Sequence, residues 1–153
     1  MDMEALKEAL ESAGKSLPSS VDSLPPGFYN SLILYGLSID LIEPGRVLCS
    51  FKVPARLLNN ENSLHGGATF SLVDLVGSAA IFAAGSPSVK GSLEINVSYL
   101  DAAYLDEEVE IDAKVLRMGK TIAVVNVELR KKKTGKIIAQ GRHTMSLPFS
   151  SKL

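Results

Sequence analysis

The chain has 153 residues, 46% of them hydrophobic and 22% charged, enough for one domain with a core and little room for a second. Its net charge of −1, from 16 lysines and arginines against 17 acids, gives no basic excess for a phosphate backbone, so nucleic acid drops out as a partner. The single Cys49 rules out an internal disulfide and fits a reducing compartment, and two histidines without HxxxH or HExxH spacing argue against a metal; the reading is no metal and no organic cofactor.

The opening MDMEALKEALESAGK carries Asp2, Glu4, Glu8 and Glu11 and has no basic start followed by an apolar run. It therefore reads as a short acidic helix, not as a secretory signal or a transit peptide. KSLPSSVDSLPPG, rich in Ser and Pro, reads as a linker or surface strap. Residues 1–25 are thus taken as helix plus linker, 26–148 as the compact domain and 149–153 as a tail. GFYNSLILYG suits one or two helical turns with Phe28, Leu32 and Ile33 inward. Leu37, Ile39 and Leu41 then alternate with Ser38, Asp40 and Ile42; EPGR makes a tight turn; and Val47, Cys49, Phe51 and Val53 alternate in their turn, which predicts a hairpin with one buried face. PARLLNNENS is a loop.

HGGATFSLVDLVGSAAIFAAG is helical by length and content and apolar nearly all round. The stretch from Gly66 to Gly85 has the length of a membrane span, but Asp74 near its middle is costly in hydrocarbon and no basic flank sets an orientation, so a buried helix is preferred and no membrane partner is expected. From Val89 the period becomes two: Leu93, Ile95, Val97, Tyr99; Val109, Ile111, Ala113, Val115; Ala123, Val125, Val127, Leu129; Ile137, Ala139, Gly141, His143, Met145. These are four strands in a long antiparallel meander, the last three joined by the turns RMGKT and KKKTGK. A hairpin, one buried helix and a meander form an α+β plan in which a curved sheet covers the helix. A doubly wound parallel sheet fails because these turns are too short for crossover helices.

Asp74 is the only charged group in its helix, and burying a carboxylate demands a specific donor. Gly67, Ser71, Asp74 and Ser78 fall on one narrow helical face. The stripe fits a general base or nucleophile in an apolar slot, and equally an aspartate bonded across a subunit contact. At the helix start, His65-Gly66-Gly67 leaves unpaired backbone N–H groups open to a substrate oxyanion, although paired glycines also mark an ordinary helix entry. Ser92 lacks the G-x-S-x-G elbow of a nucleophile, and His143 reads as structural. The run Arg130, Lys131, Lys132, Lys133 and Lys136 reads as a solvated hairpin tip, with attraction of phosphates as the functional alternative; the acidic run Asp106, Glu107, Glu108, Glu110 and Asp112 reads as a solvent face.

Asn59 lies six residues before His65, HGG follows, Asp74 comes nine residues after His65 and Ser92 opens the next strand. With SLHGGATFSLVD, INVSYL, VLRMGKT and TGKIIAQGRH, this set resembles the hotdog-fold acyl-CoA thioesterases of the phenylacetate-degradation and thioesterase-superfamily-member-2 type, from about Gly36 to Leu147. The resemblance implies a long central helix wrapped by a six-stranded antiparallel sheet, with sites at a dimer interface and dimers pairing into tetramers. It implies Asp74 as general base or nucleophile, the Gly66 N–H as carbonyl polariser, Asn59 and His65 as pocket walls, and Ser92 as an aid to the water or to Asp74. It places the substrate's coenzyme A moiety near Gly67, Tyr99, Arg117, Gly119, Lys120 and Thr121.

Thioester hydrolysis needs a base or nucleophile, oxyanion donors and an apolar slot, and Asp74, the HGG amides and the apolar helix supply them. Ser151, Lys152 and Leu153 form SKL, the peroxisomal address read by an import receptor. The expectation is a homo-oligomeric peroxisomal acyl-CoA thioesterase. Its rivals are a hotdog hydratase or dehydratase, a non-catalytic acyl-CoA binding protein, and a dedicated 1,4-dihydroxy-2-naphthoyl-CoA thioesterase.

Overall fold

The computed structural model describes residues 2–148, so residues 149–153, read from sequence as a targeting tail, lie outside the described residues. The chain divides into two compact units at Leu32/Ile33. In the first, helix α1 (Met3–Lys15) starts where the Asp2 side chain accepts the Ala5 N–H at 2.8 Å, with Glu4 in the first turn and Lys15 in the last, each favourable to the helix dipole. None of its residues is buried. The Ser/Pro segment holds one 3-10 turn, Ser19–Ser23, and α2 (Phe28–Leu34) crosses the division. Ile33 is buried, but Phe28, expected inward, is exposed.

The second unit carries β1 (Ser38–Glu43), β2 (Arg46–Lys52), the helix α3 (Gly66–Ala83), β3 (Gly91–Tyr99), β4 (Glu108–Met118), β5 (Ile122–Lys131) and β6 (Ile137–Ser146). The six strands form one antiparallel sheet in the order β1-β2-β4-β5-β6-β3. Gly45, at φ +75°, supplies the left-handed residue of the β1–β2 turn. After α3 the chain crosses to the far edge, so β3 pairs with β6 and the expected four-strand meander is a three-strand one, β4-β5-β6. Val109, Ile111, Ala113, Ala123, Val125, Val127 and Leu129 alternate inward and form one core with Leu72, Val73, Val76, Ala80 and Ile81 of α3. That is why an 18-residue apolar helix sits on a sheet: the alternating strands offer the dry face its all-round hydrophobicity requires. Cys49 lies in this core, and burial pushes its thiol up to about 11.

Glycines set how closely α3 approaches β6. A Cβ on Gly141 would lie 2.7 Å from Val73 Cγ1, and one on Gly77 would lie 3.2 Å from His143 Nδ1.

Several sequence expectations change for local reasons. β1 is an edge strand with every residue exposed, so the hairpin's buried face belongs to β2 alone. A register shift between Leu129 and Arg130 turns Ile138, not Ile137, into the core. The acidic run is not a solvent face throughout. Asp112 is 5% exposed and is gripped by Arg46, with Nε and Nη2 each at 3.0 Å, and by Arg130 at 3.3 Å. Burial alone would raise its carboxyl, but the Arg46 hydrogen bond and the charges of Lys114, Arg46 and Arg130 outweigh it and hold the group below the usual carboxylate range. Arg130 thus belongs to a network on the sheet, bonding Glu110 at 2.9 Å as well, while Lys132 and Lys133 form the exposed hairpin tip.

Candidate active site

Asp74 sits in the third turn of α3 at the margin of the helix's contact with β6: its side chain is 44% exposed, so the burial expected from composition is not met within one chain. Its Oδ1 lies 3.6 Å from Nε2 of His143, which is fully buried in β6 and 2.7 Å from the Ser92 hydroxyl. Nδ1 of His143 is buried and meets no hydrogen-bond partner among the described residues. A lone pair left unmet costs less than an unmet N–H, so the tautomer with the proton on Nε2 fits this environment. His143 then donates to Ser92 Oγ, and the serine O–H is left to donate toward Asp74 or a water. Burial holds His143 below its ordinary value, and the Asp74 carboxylate only partly opposes that.

Ser92 reaches this cluster because β3 is irregular. The pairing with β6 shifts between Ser92 and Glu94, so Ser92 stands opposite Met145, and Ile95, Val97 and Tyr99 stand opposite His143, Gly141 and Ala139. All four share the face that carries His143. Leu93, expected inward by strict alternation, is the extra residue of the bulge and is 60% exposed. His143, read from sequence as structural, is the member of this cluster that alternation could not single out. Its position among Gly141 and Met145 marked only a core face, and its meeting with Ser92 depends on the bulge.

The other candidates gather at the two ends of α3. At its start, His65 caps the helix, with Nδ1 accepting the Gly67 N–H at 2.8 Å. That bond commits one of the two glycine amides, while the Gly66 N–H, in the first helical turn, has no intrahelical acceptor. Ser71 Oγ donates to the Gly67 carbonyl at 2.9 Å, and the Tyr99 hydroxyl donates to the Gly66 carbonyl at 2.8 Å. A Cβ on Gly67 would press to 3.0 Å from His65 Nδ1, whereas one on Gly66 would make ordinary contact with the Tyr99 ring at 3.4 Å. Asn59 folds its own loop: Oδ1 accepts the N–H groups of Glu61 and Ser63 at 3.0 and 3.1 Å. Asn59 and His65 line one open recess of about 350 Å³.

At the opposite end, Gly119 and Lys120 line a recess of about 510 Å³ with residues 84–88, Met118, Leu147 and Pro148. Gly119 bonds Ile122 across the turn at 2.8 Å, the Thr121 carbonyl accepts the Leu147 N–H at 2.7 Å, and Arg117 is exposed at the end of β4 beside a bulge. One chain therefore brings Asp74, Ser92 and His143 together, groups Asn59, His65, Gly66, Gly67 and Tyr99 elsewhere, and sets Arg117, Gly119, Lys120 and Thr121 apart from both.

Comparison with known proteins gives this arrangement a context. The thioesterase superfamily profile matches residues 61–138. Human acyl-coenzyme A thioesterase 13 is 44% identical over 117 residues, which span 75% of this chain and 82% of that protein. The crystal structure of zebrafish thioesterase superfamily member 2 superposes with a TM-score of 0.75 at 38% identity, over 84% of this chain and 92% of that one. A hypothetical thioesterase protein of Streptococcus pneumoniae, solved with coenzyme A, superposes with a TM-score of 0.69 at 25% identity, over 76% of this chain and 88% of that one.

Proposed function

This chain belongs to the thioesterase superfamily and is an acyl-CoA thioester hydrolase, and from that premise we propose that Asp74 is the base that activates the attacking water. The observation that carries the assignment is the placing of Oδ1 of the half-exposed Asp74 beside the Ser92–His143 pair, at the edge of the helix's contact with its own sheet. Asp74 takes a proton from water as the oxygen attacks the thioester carbon. The Ser92 hydroxyl, oriented by His143, holds that water or the carboxylate in line, and the Gly66 N–H steadies the oxyanion. The carbon–sulfur bond then breaks, the thiolate of coenzyme A takes up the proton from Asp74, and the free acid leaves.

The geometry favours a site shared by two copies. Gly66 precedes Asp74 by about 12 Å along the helix axis, and first-turn N–H groups point out of the helix start, away from Asp74. Spanning that gap would need the N–H to carbonyl-oxygen contact, the attack distance and the water-to-base contact, about 3 Å each, laid end to end toward Asp74, whereas the Gly66 N–H points the other way. The Gly66 and Asp74 of one working site therefore come from different chains. Sheet edge β3 and the exposed Phe70, Phe82, Leu93 and Leu100 offer the surface for such pairing, which makes the proposed state a homodimer or a dimer of dimers. For location we propose a peroxisomal address in SKL at 151–153.

The deciding experiment is Asp74→Asn, assayed by thiol release over aliphatic and aromatic acyl-CoA substrates, 1,4-dihydroxy-2-naphthoyl-CoA among them. Loss of a general base should lower kcat by about 10²- to 10⁴-fold with the fold intact. Turnover near that of the parent protein would rule the mechanism out, and double-bond hydration without thiol release would point to a hydratase instead.

A further inference from the structure

We infer that Tyr99 is a positioning residue for the reaction: its hydroxyl fixes the first turn of α3 so that the Gly66 N–H keeps its aim at the thioester oxygen. The inference rests on the reading of that N–H as the oxyanion donor. Two consecutive glycines make residues 66–67 a conformationally permissive point of the backbone, yet an oxyanion donor works only if it is oriented before the substrate arrives. The surrounding chain is tied on both sides. Upstream, Leu64 N–H bonds the Ala103 carbonyl at 2.7 Å and His65 N–H bonds the Leu57 carbonyl at 2.8 Å. Downstream, Thr69 N–H bonds the His65 carbonyl at 3.0 Å, and Gly67 is held through both its N–H and its carbonyl by His65 and Ser71.

Gly66 itself receives a side-chain tether from another element of the fold at 2.8 Å, from Tyr99 at the end of β3. The tyrosine ring also lies flush against the glycine, 3.4 to 3.5 Å from where a Cβ would stand, so it walls one side of this backbone while its hydroxyl ties down the carbonyl. Tyr99 shares the inward face of β3 with Ser92, and that strand is paired to β6, which carries His143. One strand thus aligns the water-handling group at one end and the helix start at the other. A phenol whose O–H is already donated to the backbone is better suited to holding the protein than to reading coenzyme A.

The test is Tyr99→Phe in the full chain, which keeps the ring and removes only the tether. The expected result is a fall in kcat of roughly 3- to 10-fold with KM for acyl-CoA unchanged. Amide exchange at Gly66 and Gly67, followed by NMR, should quicken while the melting temperature stays close to that of the parent. A raised KM at constant kcat would make Tyr99 a coenzyme A contact and overturn the inference, as would unchanged kinetics. Gly66→Pro removes that N–H at the first helical position, where proline is tolerated and His65 already has extended backbone; adding Tyr99→Phe to it should lower kcat no further if the tyrosine acts through that amide, and a full additive loss would overturn the inference as well. Full activity of Gly66→Pro by itself would instead remove the underlying reading of Gly66, whatever Tyr99→Phe does.

Discussion

Replacing Gly141 by alanine probes the contact that sets the distance between α3 and β6. The new Cβ would stand 2.7 and 2.9 Å from the two γ-carbons of Val73 and 3.3 Å from the Asn96 carbonyl oxygen. Carbon atoms rest at about 3.5–4.0 Å, so the valine methyls are too near by about 0.8 Å. Turning Val73 gives little relief, because a helical valine has essentially one favoured rotamer and both methyls are already met. The strain must pass to the backbone, with α3 lifting from the sheet while β3 blocks retreat on the other side. Overpacking of this kind costs about 1–3 kcal/mol, which for a chain of this size is a drop in melting temperature of about 2–12 °C. Because Val73 adjoins Asp74, the same lift lengthens the 3.6 Å separation of Asp74 from His143, and kcat should fall with stability. Thermal unfolding by circular dichroism reads the first effect and thiol release the second. Gly14→Ala is the control, since nothing lies within 4 Å of its Cβ and a helical glycine replaced by alanine should cost no stability. A Gly141→Ala protein that melts with the parent would refute the close-contact argument.

Two further predictions concern pH and location. His143 is held below its ordinary 6.5, so under acid the unfolded chain binds the proton more readily than the folded one; the stability present above pH 6.5 should be lost as pH falls through the depressed folded value. Unfolding midpoints measured from pH 7 to 5 should fall in the parent and fall less steeply in His143→Gln, and equal slopes would contradict the assignment. Deleting Ser151–Leu153 should move an N-terminally tagged chain from peroxisomes to cytosol with turnover unchanged, and a full-length form found in the cytosol would end the targeting proposal.

Much of the fold was legible because it follows from periodicity. The run from Gly66 to Gly85 is too apolar to stand alone, and the alternations of Val109–Ala113 and Ala123–Leu129 leave a dry sheet face for it. What escaped was whatever depends on one extra residue or a long-range partner. Alternation placed Leu93 inside, yet the bulge puts it outside and turns Ser92 toward His143. Asp112 read as solvated among its acidic neighbours, because nothing local shows that Arg46, 66 positions away in sequence, lies beside it. The HGG sequence did mark a helix start, but not that His65 would occupy the Gly67 amide and leave Gly66 as the candidate donor.

The bulge in β3 also bears on how this chain can change in length. Ser92 and Tyr99 are seven residues apart, an odd spacing that an unbroken strand would send to opposite faces. Leu93 absorbs the mismatch. Deleting it would close the bulge and leave both residues facing α3 with Ile95 and Val97 between them, whereas losing one residue from Ile95 to Ser98 and closing the bulge would bring Glu94 onto that inward face. Among relatives that differ by a single residue in this strand, position 93 or 94 is therefore where the gap should fall.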